Sequence, residues 1–329
     1  MKSEKQRNLT PGVFKMRRNK GDLIFDRFIL LFPSLILLVV GGLLIKLTVS
    51  AWPSIKTFGL PFIYRSAWDP VFENYGALPF IYGTLLSSFV ALLIAVPIGL
   101  GTAIYLAEYA PWWIRKTISL LVDLLAAIPS VIYGLWGIFV LVPLMRTVVQ
   151  PFLAKTFGFL PFFQGPIYGI GYLSASVILA VMIVPFIISV SREVILAVPQ
   201  VHKEAAYAVG ATRWEAVVSV ILSYGKPGIV GAVVLALGRA IGETMAVTMI
   251  IGNNAKITAS LFSPGYTLAS VIANEFAEAT SDLYISSLFE IGLLLLLVSV
   301  FVNVIARFLV WSVKNKSKSG MAATGLRLA

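Results

Sequence analysis

Residues 77–107 read ALPFIYGTLLSSFVALLIAVPIGLGTAIYLA, thirty-one positions without a charged side chain. As a helix the run would be about 46 Å long at the usual rise. The hydrocarbon core of a bilayer is about 30 Å thick. The stretch is long enough to cross a membrane and too apolar to sit comfortably anywhere else. Pro79 near its start and Pro97 inside it do not argue against a helix, because neighbouring groups in a membrane satisfy the carbonyls a proline frees.

Five further apolar runs lie around it, at 28–45, 118–145, roughly 168–190, 228–251 and roughly 283–306. Together they predict an all-α membrane protein of six transmembrane helices. The whole chain agrees: of its 329 residues 58% are hydrophobic and 12% charged, and soluble domains carry about twice that charged fraction. The run at 28–45 follows a basic stretch, and Val49-Ser50-Ala51 looks like a cleavage site. It exceeds a signal-peptide core, however, and has too long a leader, so it is read as the first span. The expected organisation is a basic N-terminal segment 1–27, a membrane domain 28–311 that includes a loop 191–227, and a tail 312–329.

The net charge of +11 suits membrane edges better than nucleic acid. With the N-terminus inside, the inner segments hold 19 of the 26 Lys and Arg, and the outer ones hold 6. This positive-inside bias places both termini in the cytoplasm. Trp52, Trp112, Trp113 and Trp311 fall at predicted helix ends, where interfacial anchoring accounts for them. The chain has no cysteine and one histidine, His202, which excludes disulfides and a Cys/His metal site. No internal repeat is visible, unlike many secondary transporters.

The 191–227 loop is structured by its own chemistry. Pro199 can open a helix, Gln200 to Val209 continue it, and Gly210 can end it. Thr212 and Glu215 are spaced as a capping box that starts a second helix at Arg213. Glu204-Ala205-Ala206, with Gly210 six positions after the glutamate, resembles the EAA loop of ABC importer permeases. Val220 and Leu222 continue that pattern, and Ser223 stands where the family has proline. The resemblance implies a type I importer permease architecture, with Glu204, Ala205, Ala206 and Gly210 coupling the chain to an ATPase subunit. The alanines keep one helix face thin, and Gly210 allows a sharp turn. Gly225-Lys226 precedes Pro227 and lacks the earlier glycine of a phosphate-binding P-loop, so no catalytic residue is assigned here. The implied partner ATPase is where ATP and Mg would be used, with no cofactor held by this chain.

Arg239 lies near the middle of the predicted fifth span, and Glu243 lies four residues on. A mid-membrane arginine is expensive and needs a polar partner or an aqueous path. On a continuous helix the two would share a face and could pair. Two readings stand: a structural ion pair, or an anion site in the translocation path, where the forked guanidinium suits phosphate. Gly238-Arg239-Ala240-Ile241-Gly242-Glu243-Thr244-Met245-Ala246-Val247, followed by Ile251-Gly252-Asn253, resembles phosphate-specific permeases, and of these the PstC type most. Ile128-Pro129-Ser130-Val131-Ile132-Tyr133-Gly134 and Tyr224-Gly225-Lys226-Pro227-Gly228 support the resemblance, which covers about 77–311. It implies a PstA-like second permease subunit, two copies of an ABC ATPase subunit, an extracytoplasmic phosphate-binding protein and a place in the bacterial cytoplasmic (inner) membrane. The rival readings are a permease for another oxyanion such as sulfate, and a stand-alone secondary anion transporter.

Other candidates are weaker. Asp123 and Glu290 are expected to snorkel to the interface, with a place lining the path as the other reading. His202 reads as a solvated loop residue. Asp69, Glu73, Glu275, Glu278 and Asp282 fall in outer loops, as solvated charges or as contacts for a binding protein.

Overall fold

The computed structural model describes the backbone of residues 20–323 and, from 27 to 308, nearly all their side chains. The expected cytoplasmic ends at 1–19 and 324–329, and the side chain of Trp311, lie outside the described residues. By contacts the chain divides after Lys46, into residues 1–46 and 47–329. In the first unit the apolar run 28–45 is helical, with most of its side chains exposed.

The principal helices are α1 (Lys20–Phe58), α2 (Leu78–Tyr109), α3 (Trp112–Ala127), α4 (Ser130–Phe157), α5 (Tyr172–Leu196), α6 (Gln200–Ala208), α7 (Arg213–Ile241), α8 (Met245–Thr248), α9 (Leu268–Glu275) and α10 (Asp282–Ala323). Among the described residues six helices are long and apolar enough to cross a membrane: Arg27–Phe58 of α1, α2, α4, α5, α7, and Asp282–Phe308 of α10. Among the described residues the strand content is one isolated bridge, Asp69 with Asn74.

The six spans stand, but two have different boundaries and breaks. The third was expected as one run at 118–145. Instead α3 ends at Ala127, and Ile128 and Pro129 are extended (ψ 130° and 141°) before α4 begins. A proline pushes the residue before it out of the helical region, and here no continuing helix overrides that preference. The fifth was expected as one helix over 228–251. It begins far earlier, at Arg213, and stops at Ile241. Gly242 caps it, Glu243 and Thr244 lie outside the helices, and α8 restarts at Met245.

Helix α5 sits at the centre of the second unit. Two-thirds of its apolar window is buried (67%), against at most 28% for any other span. Around it pack Ala91 and Ala95 of α2, Leu141 and Met145 of α4, and Ala236 and Ala240 of α7. Between helices in lipid there is little hydrophobic drive, so close approach through small residues supplies the attraction. The alanines serve that purpose. Buried Thr84, Ser87 and Ser176 turn their hydroxyls back onto carbonyls four residues earlier, at 2.7 Å each. Their polar groups are thereby satisfied without water.

Candidate functional site

The fifth span positions the first site. Gly228 packs against the Val194 side chain, close to the Leu196 end of α5. Arg239 is eleven residues further along α7, about 16 Å by helical rise. That brings it level with the middle of α5, whose 25 residues span about 37 Å. By this count Arg239 falls beside the middle of α5, but it is two residues from the end of its own span, Arg213–Ile241, not near that span's middle as expected. It stands in the last turn of α7, where the partial negative charge of the helix terminus favours a cation. Its side chain is exposed on this chain taken alone.

Glu243 does not share a helix face with Arg239. The ion pairs of the described residues join Arg192 to Glu193 and Lys203 to Glu108; none joins Arg239 to Glu243. The Glu243 carboxylate instead accepts a hydrogen bond from the backbone N–H of Ala246 at 3.3 Å. It thus satisfies a first-turn donor of α8 that has no helical partner. Gly242 N–H donates to the Gly238 carbonyl at 3.2 Å, and Thr248 Oγ1 to the Thr244 carbonyl at 2.7 Å. The sequence spacing that suggested a pair assumed a helix, and the helix is broken between the two residues.

The break is held from the side by α4. A Cβ on Gly134 would come within 3.2 Å of the Ala246 Cα and 2.4 Å of the Met249 Sδ. Only glycine lets α8 sit so close. Tyr133, next to it, donates its hydroxyl to the Leu125 carbonyl across the α3–α4 break, at 2.8 Å. Gly134 thus belongs to the break after Ile241, with Tyr133 beside it in the chain. The sequence signalled them as part of the 128–134 motif, without a role.

The second site is the 191–227 loop, which forms as its local chemistry dictates. Helix α6 ends in a double-bonded turn: Ala211 N–H donates to the Ala206 carbonyl at 3.1 Å, and Gly210 N–H to the Tyr207 carbonyl at 3.0 Å. This 6→1 and 5→2 pattern requires a left-handed residue, and Gly210 has φ +87°. Thr212 and Glu215 form the reciprocal capping box. Glu204 and Ala205 are exposed, whereas Ala206 is buried. Val209 (85%) and Trp214 (63%) also stand open.

Lys203, buried on the same helix, binds Glu108 at the end of α2, with Nζ to Oε1 at 2.6 Å. Nothing local in the sequence marks these two residues as partners.

The weaker candidates divide. Glu290 does not snorkel: it is buried and accepts a hydrogen bond from Ser54 Oγ at 2.5 Å, while the Ser54 N–H donates to Ser286 Oγ at 2.9 Å. Asp123 is exposed and receives a long bond from Ser189, 3.5 Å. His202 is exposed, with its ring 5.5 Å from that of Tyr224. Glu275 is not a free charge, since it accepts from Trp68 Nε1 and from the Tyr284 hydroxyl, both at 2.7 Å. Asp69 caps its own turn, accepting from the N–H groups of Val71 and Phe72. The Tyr75 phenol beside this turn is pushed up by burial and by the nearby Glu73 carboxylate.

Comparison with known proteins gives these two sites a context. Residues 95–315 match the family of binding-protein-dependent transport system inner membrane components. The phosphate transport system permease protein PstC of Mesorhizobium japonicum is 47% identical over 300 residues, 90% of this chain and 92% of that protein. Its counterpart in Haemophilus influenzae is 48% identical over 291 residues, 87% and 92% of the two chains. A probable PstC from Methanocaldococcus jannaschii is 39% identical over 262 residues, 78% and 83%. The fold resembles a chain of the bacterial alginate ABC transporter (TM-score 0.54, 19% identity, 85% of this chain and 93% of that one). It also resembles a chain of the inward-facing MetNI methionine ABC transporter (TM-score 0.53, 22% identity, 71% and 94%). The chain belongs to the binding-protein-dependent transport system inner membrane component family, and within it to the PstC-type permeases.

Proposed function

We propose that this chain is the permease subunit of an ATP-driven phosphate importer, providing half of the translocation path. It sits in the bacterial cytoplasmic membrane with both termini in the cytoplasm, as the positive-inside bias indicates. The fuller assembly we infer has a PstA-like second permease, two copies of an ATPase subunit, and an extracytoplasmic phosphate-binding protein. ATP and Mg are used on the ATPase, and this chain carries transport rather than catalysis.

The observation that carries the reading is the end of α7 two residues after an exposed Arg239, beside the middle of α5 by helical rise. Non-helical backbone at membrane depth is tolerated where protein or a water-filled cavity surrounds it. An arginine there faces a path or a partner, not lipid. A second permease subunit across from it would enclose both. The guanidinium then offers phosphate two parallel hydrogen bonds at the point where water is left behind. Because Arg239 is not paired with Glu243, its donors stay available to an anion. Glu243 holds the turn on which the arginine depends.

At the cytoplasmic side, Glu204, Ala205, Ala206 and Gly210 present α6 to the ATPase. Rigid-body motion of the ATPase pair would move this helix and so rock the spans.

Reconstitution of the complete complex in liposomes tests the function. Phosphate uptake should require ATP hydrolysis and should survive a large excess of sulfate. Uptake driven by an ion gradient with no ATPase present would make the chain a secondary transporter. Loss of phosphate uptake under excess sulfate would make it a permease for another oxyanion.

A further inference from the structure

Helix α6 is exposed over most of its surface; of its nine residues only Lys203 and Ala206 are buried. Helix α6 lies against the first part of α7, residues 213–221, and among the described residues Lys203 alone ties it to α2 by a directional bond. The Lys203 ammonium meets the Glu108 carboxylate at 2.6 Å, with side chains only 8% and 14% exposed. So shielded a charge pair resists both sliding and separation, because either would leave a charge buried without its partner.

The far end of the pair is equally well placed. Glu108 lies in the π-helical turn Tyr105–Tyr109 that closes α2. Arg115 of α3 clamps the same turn, donating Nη2 to the Ala107 carbonyl at 2.9 Å. Beside the pair is a cavity of about 410 Å³ lined by Glu108, Tyr109, Tyr207, Ala211, Arg213 and Val217. The open space means that α6 is not wedged against α2 by continuous packing there. Glu204, the next residue along, is exposed.

We propose that the Lys203–Glu108 pair is the strut through which displacement of α6 reaches the second span, making both residues positioning residues for coupled transport. The inference rests on the reading of Glu204 to Gly210 as the ATPase contact. Adjacent residues of one helix then carry the two halves of the link: Glu204 faces the motor and Lys203 faces the membrane domain. A wider π turn at the end of α2 fits this use, since such turns occur often at functional sites.

The test is the number of phosphates imported per ATP hydrolysed by the full complex in liposomes, with assembly checked by co-purification. Lys203→Met and Glu108→Gln should each lower that ratio at least about tenfold while hydrolysis continues. Exchanging the charges (Lys203→Glu with Glu108→Lys) should recover much of the ratio, and Lys203→Arg should stay within about twofold of the original. If Lys203→Met fails to assemble, the exchange and Lys203→Arg decide the matter. A ratio in assembled Lys203→Arg as low as in Glu108→Gln, or unchanged coupling in both single variants, overturns the proposal. Ala205→Asp serves as control for the underlying reading. If it uncouples while the Lys203 and Glu108 variants do not, the strut fails alone. If it too couples normally, the ATPase contact itself has been misplaced.

Discussion

Glu243 caps the backbone of Ala246, accepting its N–H at 3.3 Å, and makes no ion pair with Arg239. This relationship changes what each residue is expected to do. A carboxylate that serves as a cap can be replaced by an amide, whose carbonyl oxygen accepts the same bond. Glu243→Gln should therefore assemble and keep most phosphate uptake. Glu243→Ala should lose the cap, at about 1 kcal/mol, and show a lower unfolding temperature. Thermal unfolding of the purified complex, read beside uptake, checks both.

Gly134 is expected to be intolerant for a steric reason. Gly134→Ala asks Met249 to swing away and the Ala246 backbone to yield a few tenths of an ångström. Gly134→Val overpacks the contact further, at about 1–3 kcal/mol. Shortening Met249 to alanine should relieve part of the first substitution and little of the second. Stability of the four variants, measured together, tests this packing.

At Gly210 the obstacle is backbone, not space. Nothing lies within 4 Å of a Cβ there, yet φ is +87°. Gly210→Val should cost more than Gly210→Asn, because asparagine enters the left-handed region more readily. The readout is uptake per ATP hydrolysed, with membrane abundance as control. Equal coupling in the two variants would mean that the turn does not matter.

How far these sites were legible from sequence follows from the range of the forces involved. The spans announced themselves because a bilayer demands long apolar runs. Their ends did not, since a helix continues through charges that leave the membrane, as α5 does through Arg192 and Glu193. The α6 turn and the Thr212–Glu215 box were readable because every partner lies within six residues. The break after Ile241 was hidden, because Gly242-Glu243-Thr244 lies inside an apolar run. The Ile128–Pro129 break does leave a sign, the residue before proline, but membrane helices also run through prolines, as α2 does through Pro97. Lys203 and Glu108 are 95 positions apart, and only the folded chain brings them together.

Glu290, in the part of α10 near Asp282, gives a further prediction. Its carboxyl and Ser54 form a buried bond of 2.5 Å. Ser54→Ala should cost about 1–3 kcal/mol by leaving a buried acceptor unmet, while Glu290→Gln should be milder. Unfolding temperatures of the two variants are the check; a larger loss in Glu290→Gln would contradict the network.

The topology can be read with thiols, because the chain has no cysteine of its own. Ser66→Cys should react with a membrane-impermeant maleimide in intact cells. Ser317→Cys should react only after the membrane is opened. The reverse pattern would invert the orientation and with it the assignment of the α6 loop to the ATPase side.

The central claim is that Arg239 binds the transported anion. Exchanging Arg239 and Glu243 is not the cleanest trial, because the exchange would also remove the cap on Ala246. The most direct measurement is the kcat/KM of phosphate uptake by the assembled complex carrying Arg239→Lys. Lysine keeps the charge and gives up the fork. The account expects a loss of at least about tenfold, with ATP hydrolysis and assembly intact; uptake within twofold of the original would contradict it.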